Sequence, residues 1–409
     1  VVIYFEAVDL PELWDFFTSL PTTVVVDHMG RPDVAKGVDS DEFALFLANA
    51  AQDEAKQVLQ RIVRKIRGRR LLVVEPRGEL GRGEAYSATE NGHTLNGNAA
   101  RMSVDPDNPD DLTQWLQQQL DAGAWPEAAE QGVPVAELFP PRGLFGRYAR
   151  QRLSEAQLDG EAAGSVLEHL RAEVVDLEVS RDNVSAQLSD GRTVQARFAV
   201  LATGMFPAAR TPQTESSGLN AAAVDPWDVQ TMTQIDPQAT VLIIGSGLTM
   251  VDAVVSLEQA GHRGPIEVFS RHGLLPHVRR QPPGWDDFLA ADHRLRSPRQ
   301  LLREVRRQCR IATAQGIDWQ APLDTVRAHI GRLWSQASER EKRQFVRHVR
   351  PWWESHHHRS PPLSAQLVAR LHEEGRLRIR AASFKGLAPA VNGVSIRLRY
   401  RGEQAITQV

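Results

Sequence analysis

The stretch Val241-Leu242-Ile243-Ile244-Gly245-Ser246-Gly247-Leu248-Thr249-Met250 decides how this chain reads. Four apolar, β-prone residues run into two glycines one position apart, and a helical pattern continues to Leu257. Strand, glycine turn and helix in that order form the opening of a dinucleotide-binding unit. The first glycine permits the tight turn, and the second lets a pyrophosphate approach the backbone. The helix N-terminus adds N–H donors and a partial positive charge. Met250 stands in the third glycine's place, so the helix is expected to pack more loosely or further out. An ordinary strand–turn–helix is the alternative. The next strand, Glu267-Val268-Phe269, ends in Ser270-Arg271-His272-Gly273. An acid there would accept the 2′-hydroxyl of NAD, whereas an arginine suits a 2′-phosphate. Arg271 is therefore a candidate NADP reader, with a solvated loop arginine as the plainer reading.

Upstream, a second unit is half written. An amphipathic helix is predicted from Gln52 through Ile66, ending at Gly68. Leu71-Leu72-Val73-Val74 is an apolar strand closing on Glu75, and Gly78, Gly81 and Gly83 follow in a loop. Glu75 sits where an acid would take an adenosine ribose, or is a structural surface glutamate. The strand and glycine turn that should precede the helix are missing: Phe43 to Ala51 holds no glycine, and Asp39 to Leu47 reads as a helix start. Further on, β-type runs from Ala172 to Leu188 break at Asp182-Asn183, and Asp190-Gly191 is a hairpin turn. Phe198 to Leu201 runs into Ala202-Thr203-Gly204, and residues 205–240 read as a connector. After Pro282-Pro283-Gly284 the chain is helical and arginine-rich over about 285–375, and strands at Leu377–Arg380 and Val394–Tyr400 close it. At the other end, Val1–Phe5, Asp9–Phe17 and Val24–Val26 read as strand, helix and strand.

The fold class is thus α/β: two Rossmann-like dinucleotide-binding units with a helical insertion, plus an N-terminal βαβ-like fragment. The divisions are 1–47 for the fragment, 48–235 for an FAD-type unit lacking its first strand and phosphate loop, and 236–409 for an NAD(P)-type unit. Composition supports a folded chain: 42% of the 409 residues are hydrophobic and 24% charged. With 48 Lys and Arg against 51 Asp and Glu, the net charge of −3 favours neither nucleic acid nor an anionic membrane as partner. One cysteine, Cys309, excludes an internal disulfide and any multi-cysteine metal site. No apolar run reaches the ~20 residues that span a bilayer. A cytoplasmic protein acting on a small molecule is expected, with its oligomeric state not legible.

Other candidates have plainer readings. His28 after Asp27 has no further ligands at usable spacing. Adjacent side chains diverge, so His356-His357-His358 is not expected to bind metal. Arginines from Arg294 to Arg310, including Arg303, Arg306, Arg307 and Arg310, read as a solvated helix face. No catalytic residue and no substrate clamp stands out.

From about residue 52 the chain resembles bacterial FAD/NAD(P)-binding proteins that include FAD-dependent urate hydroxylase and nitrosuccinate-forming flavin monooxygenases. The resemblance rests on Glu75-Pro76-Arg77 with Leu80 to Ser87, His93 to Ser103, Pro141 to Tyr148, Ala202-Thr203-Gly204, Gly245 to Asp252, and Gly264 to Pro276. It implies FAD in the first unit and NADPH in the second, with reduced flavin activating O₂ to hydroxylate a small substrate. Glu75 would match the FAD ribose acid. Arg82, Gly83, Asn96, Arg101 and Met102 would line the FAD, with Thr203 and Gly204 beside it. Gly245, Ser246, Gly247, Leu248 and Thr249 would form the NAD(P) turn. Residues 1–47, by contrast, resemble part of 2-pyrone-4,6-dicarboxylate lactonase, a (β/α)₈ amidohydrolase in which His28 would be an active-site histidine. A chain starting at Val1 with these two parts reads as a fusion or truncated product. A flavin monooxygenase, a non-catalytic nucleotide-binding protein and a lactone hydrolase are the three functions carried forward.

Overall fold

The computed structural model describes residues 45–48, 70–83, 85–89, 91–105, 107–180, 183–201, 224–226, 228–289, 297–390, 393–400 and 404–408. The expected N-terminal strand–helix–strand, His28, the Gln52–Ile66 helix, Arg294, and Thr203 with Gly204 lie outside them. The chain divides into two compact units: Val1–Thr89 with Gly97–Phe206, and Glu90–Asn96 with Pro207–Val409.

In the first unit, β1 (Leu45–Ala48), β2 (Arg70–Val74), β3 (Val166–Leu170) and β7 (Phe198–Leu201) form a parallel sheet in the order β3-β2-β1-β7. Leu47 lies opposite both Val73 and Val200. This is a correction: β1 takes the central place that the sequence reading leaves without a strand, over residues that read as a helix start. Strand pairing needs only a short apolar, β-competent run, and the glycine fingerprint belongs to the turn after it. That turn lies outside the described residues. Leu71 to Val74 are all buried, as the unbroken apolar run requires of a strand covered on both faces.

Helix α1 (Asp111–Asp121) and helix α2 (Arg142–Ala162) are tied by a polar network. The fully buried Tyr148 donates its hydroxyl to Asp111 at 2.6 Å and accepts from the Val104 amide at 3.1 Å. Arg152 adds bonds of 2.8 and 2.9 Å to the Asp111 carboxylate. Burial, then the bond to Asp111, pushes the Tyr148 phenol up. A small antiparallel sheet, β4 (Val174–Val179), β5 (Val184–Leu188) and β6 (Thr193–Ala196), contains the expected hairpin, with Gly191 at φ 86°.

In the second unit, the expected connector holds a short helix, α3 (Val229–Thr233), capped by Asp228, whose side chain accepts from the Thr231 amide. β8 (Val241–Ile244), β9 (Ile266–Ser270) and β10 (Leu377–Ala381) form a parallel sheet, order β10-β9-β8, with helix α4 (Leu248–Gln259) crossing from β8 to β9. Met250 is buried in the core with Val254, Ile266, Val268, Leu371 and Leu377, so its side chain fills the space that a third glycine would close. Helices α5 (Pro298–Ala314), α6 (Gln320–Thr325), α7 (Ile330–Gln336), α8 (Glu339–His348), α9 (Arg350–His357) and α10 (Pro362–Glu373) make up the expected insertion. α5 starts with a capping box, Ser297 with Gln300, followed by Pro298 at its first turn. Arg303, Arg306, Arg307 and Arg310 are exposed on it, as its solvated face requires. β11 (Ser383–Ala390), β12 (Gly393–Arg399) and β13 (Gln404–Gln408) form a closing antiparallel sheet; sequence reading identified only the second.

Candidate nucleotide-binding site

The turn after β8 has the form its sequence requires. Gly245 adopts φ 107°, a region favouring glycine, and its amide donates to the Phe269 carbonyl at 2.8 Å. Gly247 is the N-cap of α4 and offers no side-chain cap. A Cβ placed on Gly247 would meet no protein atom within 4 Å. The first amides of a helix have no intrahelical partner, so this bare end presents donors and partial positive charge to the space before it. Ser246 Oγ donates to the Leu274 carbonyl at 2.5 Å and lies 2.8 Å from Ser270 Oγ, which accepts from the Gly273 amide at 2.9 Å. These bonds fix the turn to the loop that carries Arg271.

Before this turn lies a cavity of about 500 Å³. Gly245, Ser246, Gly247, Leu248 and Arg271 all line it, so five of the six residues expected for the NAD(P) side share one site. Thr249 is exposed on the first turn of α4 and is not among the lining residues. Sequence reading missed the opposite side, formed by Pro351, Glu354 and Ser355 of α9 with His358 just after it. The histidine tract was the available signal, set aside with the metal reading. Each imidazole has its own partner, and the His357 and His358 rings also meet edge-on at 4.8 Å. His356 Nδ1 donates to the Trp352 carbonyl at 2.7 Å, His357 stacks on Trp353 at 4.6 Å, and His358 Nε2 lies 3.1 Å from Glu354. Among the described residues no group of three or more His, Cys, Asp or Glu is placed to hold a metal ion.

The first unit places its acid at the carboxyl end of β2. Glu75 is 3% exposed. Its Oε1 accepts from the Arg77 amide at 3.0 Å and Nε at 2.8 Å, and its Oε2 from Arg77 Nη2 at 2.8 Å. Burial pushes this carboxyl up, but the bonds from Arg77 outweigh it and hold the group below its ordinary value. A carboxylate offers about four lone-pair sites, and at least three of those on Glu75 are taken by Arg77.

Gly83, at φ 64°, and Arg82 lie in the loop that follows. Ser87 donates to the Gly83 carbonyl at 2.6 Å, and Arg82 pairs with Glu79 at 2.5 Å. Glycines of α2 allow this loop to approach: a Cβ on Gly143 or Gly146 would come within 2.3 Å of the Ala88 or Tyr86 carbonyl oxygen, respectively. Arg101 is exposed at the end of a 3₁₀ turn, Ala99–Arg101, and Met102 follows it. Gly97 lies under Met102, whose sulfur would be 2.8 Å from an added Cβ. Asn96 is grouped with the second unit, whose helix α4 holds the preceding segment through His93 Nε2 and Ser256 Oγ at 2.6 Å.

Residues 54–206 match a family described as FAD-NAD(P)-binding. The structure of the ornithine N-hydroxylase of Kutzneria sp. 744 with reduced FAD, NADP⁺ and L-ornithine has TM-score 0.54 at 13% identity. That match covers 90% of this chain and 79% of the other. The L-lysine 6-monooxygenase of Pseudomonas syringae gives TM-score 0.52 at 15% identity, covering 90% and 79%. A curated 2-pyrone-4,6-dicarboxylate hydrolase of Comamonas testosteroni is 94% identical over 47 residues at the N-terminal end. Those residues are 12% of this chain, which spans 15% of that hydrolase's length. The fold is therefore that of FAD- and NADP-binding monooxygenases, and residues 54–206 are similar to the FAD-NAD(P)-binding family.

Proposed function

We propose that this chain is an FAD- and NADPH-dependent oxidoreductase of the flavin monooxygenase kind, acting on a small molecule. The observation that carries the reading is the Gly245–Leu248 turn, with its bare helix end, opening with Arg271 onto one cavity. Bound NADPH would supply hydride and bound FAD would pass its two electrons to O₂, one oxygen atom entering the substrate and the other leaving as water. The protein's part is placement. Gly245 and Gly247 let the NADPH pyrophosphate reach the amides of the turn, and Arg271 pairs with the 2′-phosphate. Glu75 accepts a ribose hydroxyl of FAD, and Arg82, Gly83, Asn96, Arg101, Met102, Thr203 and Gly204 are the proposed flavin neighbours.

The test is uptake and turnover. Purified protein incubated with FAD and desalted should retain the flavin and consume NADPH in air. A chain that binds NADPH but takes up no flavin would favour the non-catalytic nucleotide-binding reading. The lactone hydrolase reading rests on the 47 residues shared with the hydrolase, whereas a (β/α)₈ barrel takes about 250. We expect no hydrolysis of a pyrone dicarboxylate, and hydrolysis lost on His28→Ala would reverse that ranking.

A further inference from the structure

Helix α9 is built against the loop that carries the NADP-reading arginine. The Ser355 hydroxyl donates to the Leu275 carbonyl at 2.5 Å, and the His277 amide to the Ser355 carbonyl at 3.1 Å. The Ser360 amide then donates to the His277 carbonyl, and the Arg279 amide to the Ser360 carbonyl, each at 2.8 Å. These bonds stitch residues 355–360 to residues 275–279. The stitched segment begins a few residues after Arg271-His272. Beneath it, Arg359 is 0% exposed, pairs with Asp324 at 2.9 Å and donates to the His356 carbonyl at 2.8 Å. The end of α9 is therefore a fixed wall of the cavity rather than a passing loop.

That wall carries a histidine in a defined pose. His358 Nε2 faces Glu354 Oε2 at 3.1 Å, and Arg350 Nε donates to Glu354 Oε1 at 3.2 Å. A protonated imidazole has two N–H donors, so one used on Glu354 leaves Nδ1–H for a ligand. The Glu354 carboxylate orients the ring. Across the same cavity stand Arg271 and His272, while Ile244 and Phe384 give it an apolar edge. Arg271 and two imidazoles from two separate segments, set against the one Glu354 carboxylate, offer more donors than the 2′-hydroxyl of NAD needs and suit a phosphomonoester dianion.

We infer that His358, positioned by Glu354, joins Arg271 and His272 in binding the 2′-phosphate of NADP, so that α9 helps set the choice between NADP and NAD. The inference deepens the proposed NADPH site and rests on it. The experiment is calorimetric titration of the full chain with NADPH and with NADH, for the wild type, His358→Ala, Arg271→Ala and Glu354→Gln, with melting curves to confirm folding. The wild type should prefer NADPH. His358→Ala should weaken NADPH about tenfold, the size of one charge-assisted hydrogen bond, and leave NADH within about twofold. Arg271→Ala should act in the same direction, and Glu354→Gln should reduce the NADPH preference by a smaller factor. Inorganic phosphate should compete with NADPH more weakly in His358→Ala than in the wild type. A folded His358→Ala protein with an unchanged NADPH-to-NADH ratio overturns the inference while leaving the nucleotide site standing. A wild type that binds neither nucleotide overturns the site itself, and the inference with it.

Discussion

Gly247→Ala separates a glycine kept for the fold from one kept for a ligand. Gly247 has φ −84° and ψ −167°, which alanine also adopts, and its added Cβ would meet nothing within 4 Å. Alanine lowers the entropy of the unfolded chain, stabilising by about 0.4–1 kcal/mol. It is also a poorer N-cap than glycine, costing roughly 0.5–1 kcal/mol. The two effects offset, so the melting temperature should move by no more than about 2 °C. Binding should respond otherwise, because the new methyl occupies the face where a pyrophosphate meets the turn. Holding that group off one backbone amide forfeits a hydrogen bond to a charged acceptor, about 1.5–3 kcal/mol, or roughly 10- to 150-fold in affinity. Thermal melting and NADPH calorimetry on the same sample read both quantities. An unaltered melting curve with unaltered NADPH affinity would refute the assignment of this turn to the pyrophosphate.

Gly146→Ala should do the reverse in the first unit. Its Cβ would lie 2.3 Å from the Tyr86 carbonyl oxygen, so overpacking exceeds the helix-propensity gain and the denaturant midpoint should drop by the equivalent of about 1–3 kcal/mol. Tyr148→Phe removes the donor at 2.6 Å from buried Asp111 and the acceptor of the Val104 amide, and should cost about 1–3 kcal/mol in chemical denaturation. Acid should destabilise the second unit through His357. Burial first, then Arg327, His358 and Arg359, lowers its pKa from 6.5 to about 3. Between those values the unfolded chain binds the proton and the folded chain does not, so stability falls as pH drops, by on the order of 2 kcal/mol at pH 5. Glu354, held down to about 2 from an ordinary 4.5 by its bond to His358, acts with the same sign at lower pH. Urea titrations from pH 7 to pH 4 should show this slope, and His357→Phe should flatten its upper part.

Much of the fold was legible because its signals are local. The apolar run Val241–Ile244, the two glycines after it and the Asp190-Gly191 hairpin are each decided by neighbours in sequence, and each appears where its chemistry places it. β1 was not legible. Leu45–Ala48 is four residues without a glycine turn, and only its pairing with β2 and β7 makes it a strand. The short helix α3 was hidden in a stretch of Pro, Thr, Ser and Gln, where the Asp228 cap was the overlooked signal. Among the residues lining the cavity, Gly245, Gly247 and Arg271 stand at positions that spacing singles out. Glu354 and His358 could not, since nothing local links α9 to the loop after β9. Their association runs through backbone hydrogen bonds, which any residue can make and which leave no mark on composition.

The proposed function requires that this chain hold FAD and draw electrons from NADPH. Its most direct test is the visible absorption spectrum of the FAD-loaded, desalted protein, recorded without oxygen before and after one equivalent of NADPH. Flavin absorbance should travel with the protein, bleach on NADPH addition and return when air is admitted. A colourless protein after FAD loading, or bound flavin that NADPH leaves oxidised, would contradict it.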